Sequence, residues 1–242
     1  SVNRAIIESF ERGLINSTTL MANMPGFDDA VHLAFKHNLT NQIGAHLVVT
    51  EGTPLTEEIK SIDFLFKGID RFKKKRHSLV YLKKDYQNLI FNEVANQIEK
   101  IPSNNIRITH IDTHHHVHEI YLITNIILDL QKKYKIPSIR ILNNLEQSPR
   151  LYKNLYRKLM NNYIKRKHAN YSDVFGNQSD FLLKLKEDPT LIAKKNIEIM
   201  VHPDYNSYGK LIDKAGDHEF DFKFLESLKI NLDQNETHCT RM

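Results

Sequence analysis

Residues 106–118 read "IRITHIDTHHHVH", a strand-like run that passes directly into a cluster of histidines. Isoleucine recurs at 106, 108 and 111 in this short run, which predicts a strand, and successive side chains of a strand point to opposite faces. His110 and Asp112 therefore share a face of that strand, and His114 continues it if the backbone stays extended. The segment lies in the middle of the chain, so the histidine cluster is an integral part of this protein.

Short apolar runs alternate with helical patterns on both sides of this segment. The other strand-like runs are "IGAHLVV" (43–49), "PSIRIL" (137–142) and "IEIMV" (197–201). Helical periodicity is clearest from residue 119 onward, where Ile123 and Ile127 fall on one apolar face. Repeated strand–helix units predict an α/β fold with a parallel sheet, either open or closed into a barrel.

The composition describes an ordinary globular protein, with 40% hydrophobic and 26% charged residues among 242. No apolar run approaches the roughly 18 residues of a membrane span, so we expect no membrane partner. The single cysteine, Cys239, rules out an intrachain disulfide framework, and we expect a reducing cytoplasm. The segments 67–84 and 156–168 are rich in Lys and Arg, but no nucleic-acid motif accompanies them. We expect no nucleic-acid partner.

Histidines recur where predicted strands end. His46 lies late in one predicted strand, and His110 and Asp112 end a second. His202 directly follows a third. The carboxyl ends of parallel strands converge, and imidazole with carboxylate suits Zn²⁺, Mn²⁺ or Fe²⁺. A metal site is therefore predicted. Taken alone, His46 is better explained as a hydrogen-bonded core residue, and a structural turn is a fair alternative for His202, which precedes a proline.

One ion cannot bind all the histidines of the cluster. A catalytic metal usually takes about three protein ligands and keeps one position open. We therefore expect the remaining histidines to orient the ligands, contact a substrate or cap the following helix.

At these residues the sequence resembles the YdjC-like carbohydrate deacetylases, the family that contains chito-oligosaccharide deacetylase. Four segments follow the family's motifs in order and spacing: "GLINSTTLMANMP" (13–25), "IGAHLVVTEGTPL" (43–55), "THIDTHHHVH" (109–118) and "IEIMVHPDY" (197–205). The sequence departs from the family pattern at Thr113, where serine is usual, and at Asp204, where glycine is usual. The resemblance fades beyond residue 210.

The resemblance implies a TIM-barrel-like (β/α) fold, one YdjC-like domain over residues 1–242, and metal-dependent removal of N-acetyl groups from amino sugars or chito-oligosaccharides. It also implies one divalent ion, Mg²⁺ or Zn²⁺. Carried over by position, His46 and His114 match the family's two metal-ligating histidines. Among the catalytic candidates, His202 is the acid or transition-state stabiliser, and Asp112 orients a ligand histidine.

Substrate contacts are assigned to three further residues near the predicted site. His110 and His116 belong to the histidine cluster, and Arg140 ends a predicted strand. The guanidinium of Arg140 could bind sugar hydroxyls, and an ordinary salt bridge explains this residue equally well.

The family's third metal ligand and general base belong to paired aspartates in a D-D-F-G motif that ends its first strand. That motif would stand immediately before Ser1, and the chain instead opens on a helical pattern, "SVNRAIIESFERG". We therefore expect a barrel without its first strand, weak catalysis by this chain, and an open sheet edge that favours a homodimer. Two alternatives stay open: a non-catalytic relative that binds metal or sugar, and a histidine-rich storage protein that binds several ions.

Overall fold

The structure is a computed structural model that describes residues 2–68, 70–74, 76–146, 148–167, 170–215 and 218–227. Cys239, the single cysteine on which the expected reducing cytoplasm rests, lies outside these ranges. No helix within them is both long enough and apolar enough to cross a membrane.

The described residues contain short strands and longer helices in alternation. The strands are β1 (Thr18–Leu20), β2 (Ile43–Leu47), β3 (Phe66–Lys67), β4 (Arg71–Phe72), β5 (Ile108–Thr113), β6 (Ser138–Ile139), β7 (Val174–Asn177), β8 (Ile197–Met200), β9 (Pro203–Tyr205), β10 (Leu211–Ala215) and β11 (His218–Phe220). The helices are α1 (Val2–Glu11), α2 (Phe27–Lys36), α3 (Lys84–Lys100), α4 (Tyr121–Tyr134), α5 (Leu151–Lys167), α6 (Gln178–Glu187) and α7 (Leu191–Lys194).

The chain divides into two compact units. The central unit comprises Thr19–Leu142 and Arg150–Tyr171. The terminal unit comprises Ser1–Thr18, Asn143–Pro149 and Ser172–Met242.

A four-stranded sheet in the order β1–β2–β5–β6 organises the central unit. β5 pairs in parallel with β2 on one side and with β6 on the other. The register sets His46 of β2 beside Asp112 of β5, and Ile111 of β5 beside Ile139 of β6. The carboxyl ends of these three strands therefore lie at one edge of the sheet, which confirms the predicted α/β class with a parallel sheet.

Helices α3 and α4 cover the apolar side of this sheet. Side chains of β2, α3 and α4 line one common apolar space: Leu47, Val49, Ile90, Val94, Ile123 and Ile127. Burying each such side chain contributes roughly 1.5–3 kcal/mol, so this layer fixes the helices against the strands. Helix α4 ends at Tyr134 because Lys135 takes the left-handed conformation, with φ of 52°.

The terminal unit has its own strands and core. β7 and β8 pair in parallel, and β9, β10 and β11 form an antiparallel sheet on which α1 packs through β9. Ala5 of α1, Leu14, Leu211 of β10 and Phe222 form one buried apolar cluster of this unit.

The sequence predicted strands at β2, β5, β6 and β8 but misjudged some boundaries, and it did not predict β7, the parallel partner of β8. The antiparallel sheet β9–β11 and the hairpin β3–β4 were not predicted. The helix predicted from residue 119 begins at Tyr121, because residues 114–119 form a 3-10 turn. No side chain caps α4, so the expectation that a surplus histidine caps it was wrong.

Candidate metal centre

His46 and Asp112 meet because adjacent parallel strands bring them side by side. The two residues are register partners at the ends of β2 and β5. His46 Nδ1 lies 2.6 Å from Asp112 Oδ1 and 3.2 Å from Thr19 Oγ1. An ionised carboxylate only accepts hydrogen bonds, so Nδ1 carries the proton and Nε2 of His46 keeps its lone pair. That is the tautomer a metal ligand needs.

Arg140, which follows β6, holds the second oxygen of the same carboxylate. Arg140 Nη1 donates to Asp112 Oδ2, so strands on both sides of β5 each supply one partner for Asp112. The Asp112 side chain is 1% exposed. Burial alone would raise the pKa of Asp112, but the charge of Arg140 and the contact with His46 outweigh it and lower that pKa. Asp112 is therefore a buried carboxylate with both oxygens engaged.

His114 lies next to His46, directly beyond the end of β5. Its Nδ1 is 3.3 Å from His46 Nε2, and its Nε2 is 2.7 Å from Glu51 Oε2. Burial and the neighbouring His46 lower the pKa of His114, although the contact with Glu51 opposes this effect. A lowered pKa keeps the imidazole neutral near pH 7, the form that coordinates metals.

The chain turns sharply at His115 and His116, which both have φ of 52°. Residues with a side chain rarely adopt this left-handed conformation, although histidine is among the types that adopt it more readily. The turn brings the His115 ring to 3.8 Å from the His114 ring, and His115 Nδ1 lies 2.9 Å from Thr50 Oγ1. Burial, with His114 and Lys74 nearby, lowers the pKa of His115 to about 4.

The spacing of His46 and His114 fits a tetrahedral metal ion. Two nitrogens bound at 2.0–2.1 Å to one such ion lie about 3.3–3.4 Å apart. His46 Nε2 and His114 Nδ1 have this separation, at 3.3 Å. The second nitrogen of each ring contacts a carboxylate, Asp112 for His46 and Glu51 for His114. Ligand histidines in metal sites are oriented in this way, so the donor set fits a divalent ion.

A second donor set overlaps the first. Ligand atoms of Glu51, His114 and His115 all lie within 4.8 Å of one another. The sequence motifs did not single out Glu51, and they indicated His115 only as one of the surplus histidines. The signal for Glu51 was its place in the loop directly after β2, whereas His115 is turned toward the site only by its positive φ.

His118, at the end of the cluster, is buried away from solvent and bonds to Thr113. His118 is 2% exposed, and its Nδ1 lies 2.7 Å from Thr113 Oγ1. Burial and the nearby His116 lower the pKa of His118 to about 3. Burial and Arg140 lower the pKa of His116 to about 4. His118 is thus a neutral interior residue and takes no part in either donor set.

His110 is placed on β5 two residues before Asp112. Its Nδ1 lies 2.8 Å from Thr109 Oγ1, and its ring covers Gly44 of β2. A Cβ atom at Gly44 would approach that ring to 2.6 Å, so only glycine leaves room for it. The predicted substrate contact of His110 stays a prediction.

His202 belongs to the terminal unit, where it stands between β8 and β9. Its backbone N–H donates to Asp213 Oδ1 at 2.7 Å, and its Nδ1 lies 3.9 Å from the same oxygen. The His202 side chain is 53% exposed, whereas that of Asp213 is buried. Burial raises the pKa of Asp213, although the His202 N–H opposes this effect.

The fold and the site define a mixed α/β protein with a histidine–carboxylate cluster at the carboxyl edge of a parallel sheet. The profile of one family, described as YdjC-like protein, matches residues 1–233. The chain therefore belongs to the YdjC-like family, as its motifs indicated.

Similar proteins carry the name carbohydrate deacetylase. One from Clostridium beijerinckii is 35% identical over 212 residues, covering 85% of this chain and 76% of that protein. One from Brevibacillus brevis is 37% identical over 136 residues, and the match spans 56% of this chain and about half, 52%, of that protein.

A solved structure supports the fold. It is described as a cellobiose-phosphate cleavage protein from Enterococcus faecalis, has a TM-score of 0.65 and 24% sequence identity, and covers 86% of this chain and 77% of that one.

Proposed function

We propose that the protein is a metal-dependent hydrolase that removes N-acetyl groups from amino sugars or chito-oligosaccharides. The observation that carries the proposal is the pair His46 Nε2 and His114 Nδ1, 3.3 Å apart, with a carboxylate behind each ring. Membership of a family with relatives named carbohydrate deacetylase supplies the substrate class.

His46 and His114 would hold one divalent ion, Zn²⁺ or Mg²⁺. When bound, such an ion polarises the acetyl carbonyl and lowers the pKa of water. Asp112 holds the His46 ring in the competent tautomer, and Glu51 does the same for His114. These contacts fix both ring directions before any ligand arrives, so little reorganisation accompanies binding.

Asp112 is suited to positioning and unsuited to taking a proton. Its lowered pKa and its two engaged oxygens make it a weak base. The resemblance gives proton acceptance to the family's paired aspartates. His202 stays our candidate for protonating the departing amine, a role that rests on its motif.

Arg140 is better explained as a partner of Asp112 than as a sugar-binding group. Its side chain is 11% exposed and donates to the Asp112 carboxylate. His110 and His116 remain our candidates for contacts with the sugar. A TIM-barrel-like arrangement, a single domain over residues 1–242, a homodimer and a cytoplasmic location also remain proposals.

Acetate release tests the proposal directly. The chain is incubated with N-acetylated chito-oligosaccharides and Zn²⁺ or Mg²⁺, beside His46→Ala and His114→Ala and the control His37→Ala. We expect one bound ion per chain and slow acetate release, in keeping with the weak catalysis expected of this chain, that only the first two substitutions abolish. Several ions per chain would favour storage. One tightly bound ion without acetate release would favour a non-catalytic relative, and either result would overturn the proposal.

A further inference from the structure

Two buried carboxamides repeat one unusual contact in the central unit. Gln97 of α3 accepts from Val48 N at 2.9 Å and donates to Val48 O at 2.7 Å. Asn161 of α5 accepts from Leu142 N at 2.7 Å and donates to Leu142 O at 2.9 Å. In each case a side chain takes both hydrogen bonds that a neighbouring strand would offer.

The two contacts occur at equivalent places relative to the site. Val48 lies two residues after His46, and Leu142 lies two residues after Arg140. Side chains two residues apart along an extended chain lie on the same face. Holding the backbone of the later residue therefore restricts the direction of the earlier side chain. His46 and Arg140 are also the residues that engage the two oxygens of Asp112.

Burial makes both contacts costly to lose. Gln97 is 1% exposed and Asn161 is 5% exposed. β2 and β6 end before Val48 and Leu142, so the carboxamides satisfy backbone groups that lie beyond the strand ends. The amide of Gln97 is further fixed by Glu93, whose carboxylate accepts from Gln97 Nε2 at 2.8 Å.

We propose that Gln97 and Asn161 are positioning residues that hold the ends of the strands flanking β5, so that His46 and Arg140 stay on Asp112. Gln97 sets the direction of the His46 ring and hence the geometry of the metal ligand. Asn161 affects the metal ligand less directly, because it positions Arg140, which in turn holds Asp112. The inference rests on the proposed function, because its main measurement is the affinity of the proposed site for Zn²⁺.

The test compares Gln97→Met and Asn161→Leu with Gln178→Met, a matched control. Gln178 is also a buried carboxamide, 4% exposed, but it bonds to the backbone of Asp221 in the terminal unit. Circular dichroism confirms folding, Zn²⁺ titration gives affinity, and the visible spectrum of bound Co²⁺ reports ligand geometry. If Gln97→Met does not fold, Gln97→Asn replaces it, since its shorter side chain cannot span both bonds.

We expect folded Gln97→Met to bind Zn²⁺ at least about 10-fold more weakly, because losing a residue that orients a metal ligand has this effect in other metal sites. The spectrum of bound Co²⁺ should also change. Asn161→Leu should give a smaller loss, and Gln178→Met none. Wild-type affinity and spectrum in a folded Gln97 variant would overturn the inference.

If the wild-type chain itself binds no Zn²⁺, the proposed function fails, and a crystal structure of the Gln97 variant decides this inference separately. Loss of the contact between His46 and Asp112 would support it. An intact 2.6 Å contact would overturn it.

Discussion

The two ends of the segment 114–118 carry the same side chain in opposite settings. At one end His114 faces another histidine and a carboxylate beyond the strand edge. At the other end His118 is fully buried against Thr113, with its pKa lowered to about 3. Between them the backbone turns through the positive φ of His115 and His116. A single histidine cluster therefore divides into a ligand-bearing part and a structural part, and backbone conformation decides which is which.

The largest expected effect is at the half-buried His114 end. His114 belongs to both donor sets, so His114→Ala should weaken Zn²⁺ binding by about 100-fold or more, since loss of an outer partner alone costs 10–100-fold. Competition titration against a chelator of known affinity measures this. His37→Ala serves as control and should bind like wild type. Near-normal Zn²⁺ affinity in His114→Ala would place the metal elsewhere.

The opposite result is expected at the buried end. His118→Ala should lower the free energy of unfolding by about 2–4 kcal/mol, because it opens a cavity and removes the imidazole that contacts the Thr113 hydroxyl, which keeps the backbone N–H of residue 118 as a donor. Zn²⁺ affinity should stay near wild type in the folded variant. Urea denaturation gives the first value and titration the second. If His118→Ala is stable but fails to bind Zn²⁺, His118 is not the structural residue that we describe.

The stability of the chain should also depend on pH through His118. The folded pKa is about 3 and the unfolded value about 6.5, so between them the unfolded chain binds a proton that the folded chain does not. Stability due to this group is therefore complete above pH 6.5 and falls as the pH decreases toward 3. At pH 5 the loss is on the order of 2 kcal/mol. The penalty of His118→Ala, measured by urea denaturation, should shrink by that amount between pH 7.5 and pH 5. An unchanged penalty would contradict the neutral, buried His118.

The smallest effect concerns Glu51, which distinguishes the two donor sets. If Glu51 only orients His114, Glu51→Gln keeps an acceptor for Nε2 and should weaken Zn²⁺ binding by no more than about 10-fold. If Glu51 is itself a ligand, the loss should approach that of His114→Ala. Titration of both variants side by side separates these cases.

The sequence revealed those features that follow from regular periodicity. The isoleucine-rich run over 106–112 predicted β5, and the location of histidines at strand ends predicted that His46 and the residues after β5 lie at one edge. Parallel pairing makes that inference general, because strand ends then align whatever the loops do. The α/β class followed for the same reason.

The parts that the sequence did not reveal depend on tertiary contacts. Positive φ at His115 is not encoded by its residue type, so its approach to His114 could not be foreseen. Gln97 and Asn161 look like surface polar residues in helices, and only the packed structure shows that they bond to strand ends. The role of Glu51 likewise depends on how the loop after β2 folds back.

Locating the metal ion by anomalous X-ray scattering from Zn²⁺-loaded crystals tests the central claim most directly. We predict one ion between His46 Nε2 and His114 Nδ1, with Asp112 and Glu51 contacting the other nitrogens of the two rings. An ion bound by Glu51, His114 and His115, with His46 still on Asp112 and uncoordinated, would contradict that prediction. Absence of any ion at this edge of the sheet would contradict the metal centre itself.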